Sequence, residues 1–284
     1  MKAVVQPVKG TRDFYPELMA IRSWLYHTIG EVTASFGYEE YEAPILEKVE
    51  LYAAKSGEEL VNEQAFVFED RGGDAIALRP ELTPSLARMV AQRQRELAFP
   101  LRWWSFGPFW RYERPQKGRT REFLQWNTDM IGADSPEADA ELVAVCATFL
   151  RRVGLSPEQV VLLVNSRRLM DASLLEIGIP AEVHVPVFRL IDRKDKMKAD
   201  AWENYASEIG LSPAQRTALE KLLSQADLWE RSEELKKFFA ALEAFGVREY
   251  VQFDPQIVRG LDYYTGIIFE GRDRDKEGRA ILGG

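Results

Sequence analysis

The feature that most constrains this chain is the stretch at residues 106–131, FGPFWRYERPQKGRTREFLQWNTDMI, in which two strand-like runs flank one strongly basic loop. Strand side chains alternate between faces. In the first run Phe109, Arg111 and Glu113 therefore share one side, while Trp110 and Tyr112 take the other. In the second, Phe123, Gln125, Asn127 and Asp129 lie opposite Leu124, Trp126 and Met130. The pattern predicts a hairpin with one greasy, aromatic face and one polar, ionisable face. Arg114, Lys117, Arg119 and Arg121 crowd the loop between, where Pro115 and Gly118 let the backbone turn and side chains reach outward.

At 284 residues and 46% hydrophobic, the chain buries a real core, as one large domain or a domain with an insertion. A formal net charge of -8 argues against a general nucleic-acid binder. Any polyanion must meet a local patch, and the loop at residues 114–121 is the candidate. Cys146 is the single cysteine, which excludes an internal disulfide and a cysteine zinc site. His27 and His184 are the only histidines, so a histidine metal cluster is excluded as well, and triad and zinc hydrolases lose their footing. With neither GxxxxGK[ST] nor GxGxxG present, a nucleotide has to be held by arginines and not by a glycine cradle. No run reaches transmembrane length, and MKAVVQPVKG lacks the apolar core of a signal peptide, so the expected location is the cytoplasm.

Along the chain, KGTRDFYPE leads into a helix with Pro16 in its first turn. Leu18, Ile21, Leu25, Ile29, Val32 and Phe36 mark its apolar face, and Gly37 stops it. YEEYEAPIL then reads as a strand interrupted at Pro44, a position tolerated at an edge or a subunit boundary. A helix followed by an edge strand can pair with a copy of itself or pack on its own sheet, and the pattern leaves both open. Short strands at residues 65–69 and 75–78 flank a Gly72-Gly73 turn. In LRPELTPSLARMV, Thr83 before Pro84 reads as a helix N-cap, with the helix running to about Arg95. Glu81 lies at the strand-to-helix junction, where function often concentrates. A helix opens at Ser135-Pro136 and closes at Gly154, and VVLLV follows as a strand buried on both faces. Residues 167–245 are almost wholly helical in pattern, an insertion before the sheet resumes at residues 250–253. VRGLDYYTGIIFE follows, with Gly260 and Gly266 bracketing LDYYT where backbone or ligand must come close. The final ILGG reads as a cut through a strand or turn, so a fragment is expected.

Arg111, the Arg119/Arg121 loop and Arg259 supply positive charge, and Glu81, Gln125 and Asp129 supply acids or amides. That mixture suits a zwitterionic substrate beside a polyphosphate. Carboxylates and amides take an ammonium group, and arginine forks match carboxylate or phosphate oxygens and keep their charge. An amphipathic sheet with a solvated face and a salt-bridged loop accounts for the same residues, and from the residues alone both readings stand.

ERPQKGRTREF, with FWRYE running into it, resembles motif 2 of the class II aminoacyl-tRNA synthetases in its histidyl-tRNA synthetase form. VRGLDYYTG resembles the peptide specific to histidyl-tRNA synthetases, and LRPELTP and KGTRDFYPE are also similar to that family. The likeness runs from residue 9 to the last residue and is weakest across residues 167–245. It implies an α+β fold, a class II antiparallel β-sheet flanked by helices with a helical insertion. Its parts would be residues 1–166 (first part of the catalytic core), 167–246 (insertion) and 247–284 (core continued, ending before motif 3 and the anticodon-binding domain). It implies activation of L-histidine by ATP with Mg2+, giving histidyl-adenylate and pyrophosphate, then transfer to the 3' end of histidine tRNA. A homodimer through residues 18–46 is implied, and no dedicated protein metal site.

Residue by residue, the resemblance makes Arg111 and Arg259 the catalytic arginines on either side of the α-phosphate. Arg119 and Arg121 would hold the distal phosphates, with Glu113 near the adenine. Glu81, Thr83 and Gln125 would receive the substrate's α-amino group, Asp129 and Tyr264 would read its imidazole, and Tyr263 and Arg259 belong to the same histidine pocket. The sequence departs from the family's pattern at Leu82-Thr83-Pro84-Ser85 and in having Asp129 where other members have Glu. A rival of another class is the synthetase-like regulatory subunit of ATP phosphoribosyltransferase, which senses histidine and catalyses nothing.

Overall fold

The computed structural model describes residues 5–53, 64–114, 119–194, 197–258, 264–275 and 280–284. The chain divides into two compact units, residues 1–133 and 134–284.

In the first unit, helix α1 (Pro16–Ser35) leads to strand β1 (Glu39–Glu40), which pairs in parallel with β5 (Leu101–Trp110). Strand β6 (Glu122–Ile131) runs antiparallel to β5 in unbroken register from Leu101 opposite Ile131 to Trp110 opposite Glu122. That register sorts the two faces. Trp103, Ser105, Gly107 and Phe109 lie directly across from Asp129, Asn127, Gln125 and Phe123. The even-numbered residues face α1, where the Tyr26 ring lies 6.0 Å from Trp104 and 6.1 Å from Phe106. The faces are therefore less cleanly divided than the alternation predicts. Gln125, Asn127 and Asp129 share theirs with Trp103, Phe109 and Phe123, because that face is covered by Ala43, Leu82, Met89 and Tyr41. The helix also departs from its predicted stripe. Ile29 and Val32 are buried, whereas Leu18 and Ile21 are exposed, since the first turns extend past the two large rings that cover Tyr26.

A second sheet of three strands, ordered β2 (Leu46–Lys48), β4 (Ala75–Leu78), β3 (Phe66–Glu69), is antiparallel throughout. The β3–β4 turn is held by Asp70, whose Oδ1 accepts from the backbone N–H of Gly72 (2.7 Å) and Asp74 (3.0 Å). A short helix α2 (Val49–Ala53) follows β2. Helix α3 (Thr83–Arg93) is tied to β2 through Glu47, which accepts from Ser85 Oγ (2.9 Å) and Arg88 Nη2 (2.5 Å). Its cap corrects the sequence reading: Leu82, already helical in ψ, holds the N-cap position and makes no side-chain cap bond, and Thr83 is the first helical residue. Leu82 is buried against Phe109, and burying it starts the helix one residue early. The Thr83 hydroxyl is left exposed and uninvolved in capping.

In the second unit, Ser135 caps helix α4 (Pro136–Arg152), its side chain accepting from the Ala138 N–H at 3.2 Å. Strand β7 (Val160–Ser166) is buried at all seven positions, as its apolar run predicts. It lies between β8 (Val251–Phe253), parallel to it, and β9 (Ile267–Asp273), antiparallel to it; β10 (Leu282–Gly283) closes the edge beside β9. Between β7 and β8 the chain is helical: α5 (Arg167–Glu176), α6 (His184–Asp192), α7 (Ala199–Glu208), α8 (Pro213–Leu223) and α9 (Glu233–Ala244). The predicted face of α9, Leu235, Phe238, Phe239 and Leu242, is buried and lies along α4. Among the described residues no helix is long and apolar enough to cross a membrane.

Candidate functional site

Three polar side chains of β6 form a row on the face opposite α1. Gln125 donates from Nε2 to Asn127 Oδ1 at 2.8 Å, and Asp129 follows two residues on. At the open end of the same strand pair, the Arg111 N–H donates to the Arg121 carbonyl at 2.9 Å, extending the ladder past Trp110. Odd parity puts Arg111 on the Gln125 face, and its guanidinium carbon sits 5.4 Å from the centre of the Phe123 ring. Arg111 Nε donates to the Pro80 carbonyl at 3.0 Å. One bond aims the group, and neither Nη makes a hydrogen bond to another described residue. Pro80 immediately precedes Glu81, which is half-buried, so the Arg111 contact brings the chain carrying Glu81 and Thr83 to the end of this row.

The basic loop's described arginines are held locally. Arg119 Nη1 pairs with Glu113 Oε2 at 2.9 Å, half in solvent. Arg121 lies with its guanidinium 4.0 Å from the Tyr112 ring centre and reaches the carbonyls of Glu113 (3.5 Å) and Lys9 (3.4 Å). The KGTRDFYPE segment thus has a concrete task. The Gly10 carbonyl accepts from the N–H groups of Arg121 (2.9 Å) and Glu122 (3.1 Å), and a Cβ at Gly10 would meet Arg121 Cγ at 2.7 Å.

Two residues that sequence reasoning passed over complete this face. Arg79 is 0% exposed; it donates from Nε to the Pro108 carbonyl (3.1 Å) and from Nη1 to the Ala43 carbonyl (2.9 Å), and it pairs with Glu42. Its guanidinium lies 4.6 Å from the centre of Phe109 and against Gly107, where a Cβ would sit 2.5 Å from Nη2. A glycine within a strand marks such a close approach. The parity of β4 carried the other half of the signal, since Arg79 continues the side occupied by buried Ala77.

Tyr41 is the second. Its N–H donates to the Trp104 carbonyl at 2.9 Å, and its ring packs 5.5 Å from Trp103, the residue opposite Asp129. Burial pushes the Asp129 carboxyl up to about 6, with the nearby Tyr41 hydroxyl pulling the other way, and burial likewise raises the Tyr41 hydroxyl. The two groups lie near each other, yet among the described residues neither Tyr41 Oη nor Asp129 Oδ2 has a hydrogen-bond partner of good geometry. The pull of the Tyr41 hydroxyl on Asp129 is of the hydrogen-bonding kind, although the pair falls short of good hydrogen-bond geometry. Native folds leave few such atoms orphaned.

In the second unit, Tyr264 is half-buried and packs against Val161, Leu163, Ile257 and Ile268. Asn165 is fully buried; its Nδ2 donates to the carbonyls of Pro255 (3.1 Å) and Ile257 (2.9 Å), and its Oδ1 accepts from the Ser166 N–H (2.8 Å). Arg167 donates from Nη1 to the Val258 carbonyl (3.1 Å) and from its backbone N–H to the Gly266 carbonyl (3.0 Å). A polar residue ending a fully buried strand was the available signal for Asn165. Arg259 and Tyr263 lie outside the described residues.

A profile of the family described as histidyl-tRNA synthetase matches residues 10–284. The chain is 43% identical over 296 residues to the chloroplastic/mitochondrial histidine–tRNA ligase of Arabidopsis thaliana, covering 100% of this chain and 60% of that protein. It is 40% identical to the histidine–tRNA ligase of Haloarcula marismortui, covering 98% of this chain and 67% of that one. Among solved structures, the fold superposes on an ATP phosphoribosyltransferase regulatory subunit/histidyl-tRNA synthetase from Bacillus halodurans with TM-score 0.83 and 25% identity, covering 98% of this chain and 74% of that one. A histidyl-tRNA synthetase from Nostoc shares the fold at TM-score 0.82 and 22% identity, covering 95% of this chain and 65% of that one. The chain thus spans three-fifths of the Arabidopsis protein and matches the family profile almost from end to end. The arginines at the open end of the β5–β6 pair and the polar row beside them therefore sit in a chain that belongs to the histidyl-tRNA synthetase family.

Proposed function

We propose that the protein carrying this chain is a class II histidine–tRNA ligase acting in the cytoplasm, and that this chain supplies most of its catalytic region. The observation that carries the reading is the single face on which β5–β6 register gathers Arg111, Gln125 and Asp129. A carboxylate of L-histidine attacks the α-phosphorus of ATP, pyrophosphate leaves, and histidyl-adenylate forms. The terminal hydroxyl of histidine tRNA then attacks the activated carbonyl and AMP leaves. Negative charge gathers on the α-phosphate in the first step. A fixed guanidinium aimed there lowers the barrier more than it binds the ground state. Arg111 suits this role, because its Nε is anchored on the Pro80 carbonyl while neither Nη bonds another described residue. Arg259 would act on the same phosphate; Arg119, Arg121 and Glu113 would hold the rest of the nucleotide.

Gln125, Glu81 and Thr83 are assigned to the α-amino group. Asp129, Tyr264 and Tyr263 are assigned to the imidazole. Mg2+ would be borne by the nucleotide's phosphates, whose oxygens suit a hard cation. Exposed Leu18, Ile21 and Trp24 on α1 and Ile45 and Leu46 beyond it support a homodimer through residues 18–46.

The test is histidine-dependent ATP–pyrophosphate exchange by the full-length protein. We expect exchange, and expect Arg259→Ala to lower kcat far more than it raises KM. A full-length protein that binds histidine but shows no exchange overturns the ligase reading in favour of a histidine sensor.

A further inference from the structure

We propose that Arg167 is a positioning residue for the reaction, tying both ends of the segment at residues 259–265 to the end of β7 so that Arg259 and Tyr264 are presented from a fixed frame. The proposal rests on the ligase reading for what Arg259 and Tyr264 do. Its own support is the pair of bonds on either side of the segment.

Both ends of the segment meet one residue. The Arg167 side chain donates from Nη1 to the carbonyl of Val258, the residue before Arg259, at 3.1 Å. Its backbone N–H donates to the carbonyl of Gly266, two residues after Tyr264, at 3.0 Å. Helix geometry explains the second bond. Arg167 opens α5, and the first N–H groups of a helix have no acceptor within it, so this one can reach across. The strands converge on the same point: Ser166 lies opposite Ile267 in the β7–β9 register, and the Asp254 N–H, just past β8, donates to the Val164 carbonyl at 2.9 Å. Asn165 holds the incoming limb at Pro255 and Ile257, and Arg167 carries the tie on to Val258 and over to Gly266.

The side chain is suited to a fixed tie. Arg167 is 7% exposed, and a buried cation needs partners that do not move. Its guanidinium carbon lies 3.6 Å from the centre of the Phe188 ring on α6, so an aromatic face backs the group while one Nη reaches the Val258 carbonyl. Phe188 and Val258 are themselves buried. A planar guanidinium can use face and edge at once, which a lysine cannot. A second arginine in this unit has the same arrangement without the same neighbour. Arg248 lies 4.2 Å from the Phe239 ring centre and donates from Nη1 to the Val251 carbonyl at 2.5 Å, at the start of β8 and away from the segment.

The test is Arg167→Met in the full-length protein, with Arg248→Met as its control. Each removes a guanidinium from a ring and a carbonyl, so both should lower the thermal midpoint. In histidine-dependent exchange, Arg167→Met should lower kcat about 30-fold, the scale on which a small misplacement of a reacting group acts, with KM for ATP changing less than about three-fold. Arg248→Met should keep kcat within about two-fold of the wild type. Because Arg167 acts through Arg259, adding Arg167→Met to Arg259→Ala should lower kcat less than about three-fold further. Unchanged kcat overturns the proposal, and so do equal losses in the two methionine variants or a fully multiplied loss in the double variant, which mark a structural role. Should Arg167→Met fail to fold, Phe188→Leu decides, since it keeps an apolar wall and removes the aromatic face: kcat should fall about five-fold, and no fall overturns the proposal. Should the wild type bind histidine but fail to exchange, the ligase reading falls alone, and the tie is then read by amide hydrogen exchange of peptides from residues 256–266. Faster exchange there in Arg167→Met and not in Arg248→Met supports the tie, and equal exchange in both overturns it.

Discussion

Asn165 offers the sharpest test of how the second unit holds the segment leading to Arg259. Its amide is completely used: both Nδ2 hydrogens go to carbonyls, of Pro255 and Ile257, and Oδ1 takes the Ser166 N–H. These partners also fix the amide orientation, since the reverse would set an oxygen against two oxygens. Asn165→Ala leaves two buried carbonyls without donors and the buried Ser166 N–H without an acceptor, beside a strand that excludes water at all seven positions. At roughly 1 kcal/mol for each of the three orphaned groups, the expected cost is about 3 kcal/mol. For a domain of this size that is a fall in Tm of about 6–12 °C. Thermal and urea unfolding of the full-length protein measure it. Asn165→Asp separates hydrogen bonding from cavity formation: it keeps the volume and the Oδ1 acceptor, but turns a carboxylate oxygen toward both carbonyls. At neutral pH it should be the more destabilised of the two. A cost below about 0.5 kcal/mol for alanine, the range of an inconsequential surface change, would refute the reasoning.

Gly107→Ala forces a Cβ to 2.5 Å from Arg79 Nη2, and Arg79 cannot swing away without giving up Pro108, Ala43 and Glu42. It should cost about 1–3 kcal/mol in urea unfolding, as overpacking does, and wild-type stability would show that Arg79 is not pinned. In the second unit, burial pushes the Asp139 carboxyl up from 3.8 to about 6, with Glu234 and Asp134 adding to the lift and Arg168 opposing it. A raised folded value means that the stability linked to Asp139 is full below about pH 4 and is lost as pH rises through about 6. Asp139 also lies in the first turn of α4, where a negative charge is favourable, and its carboxylate is partly exposed. With both discounts, Asp139→Asn should stabilise by about 1 kcal/mol at pH 7 and by nothing at pH 4, and an equal effect at both pH values would refute it.

The β5–β6 pair was legible because its information is periodic: a strand reports its faces every second residue, and the register observed follows that count from end to end. The same parity would have exposed Arg79 as core-facing. The α3 cap was misread because Thr-Pro is a local signal, and the burial of Leu82 under Phe109, a contact 27 positions away in sequence, outweighs it. Tyr41 was invisible for a related reason. It lies between β1 and β2 in a segment that reads as strand, and the groups that give its hydroxyl meaning sit on β5 and β6. No local pattern connects residues so far apart.

Magnitudes separate the arginines that local charge could not. Arg79 and Arg119 each face a glutamate, so composition alone makes them equivalent. Arg119 is half exposed, and an ion pair in solvent holds about 0–1 kcal/mol. Under the proposed function, a nucleotide phosphate would displace Glu113 from it at little cost. Arg79 is sealed from solvent although Glu42 is not, so breaking this pair costs more than breaking the exposed one, because the guanidinium left behind cannot rehydrate. An arginine proposed to exchange its partner for a phosphate has to be of the first kind, and one that holds Pro108 and Ala43 in place against Gly107 has to be of the second. The acidic surplus of the chain is then no obstacle to the proposed binding of a polyphosphate, since the glutamate paired with Arg119 is held only loosely.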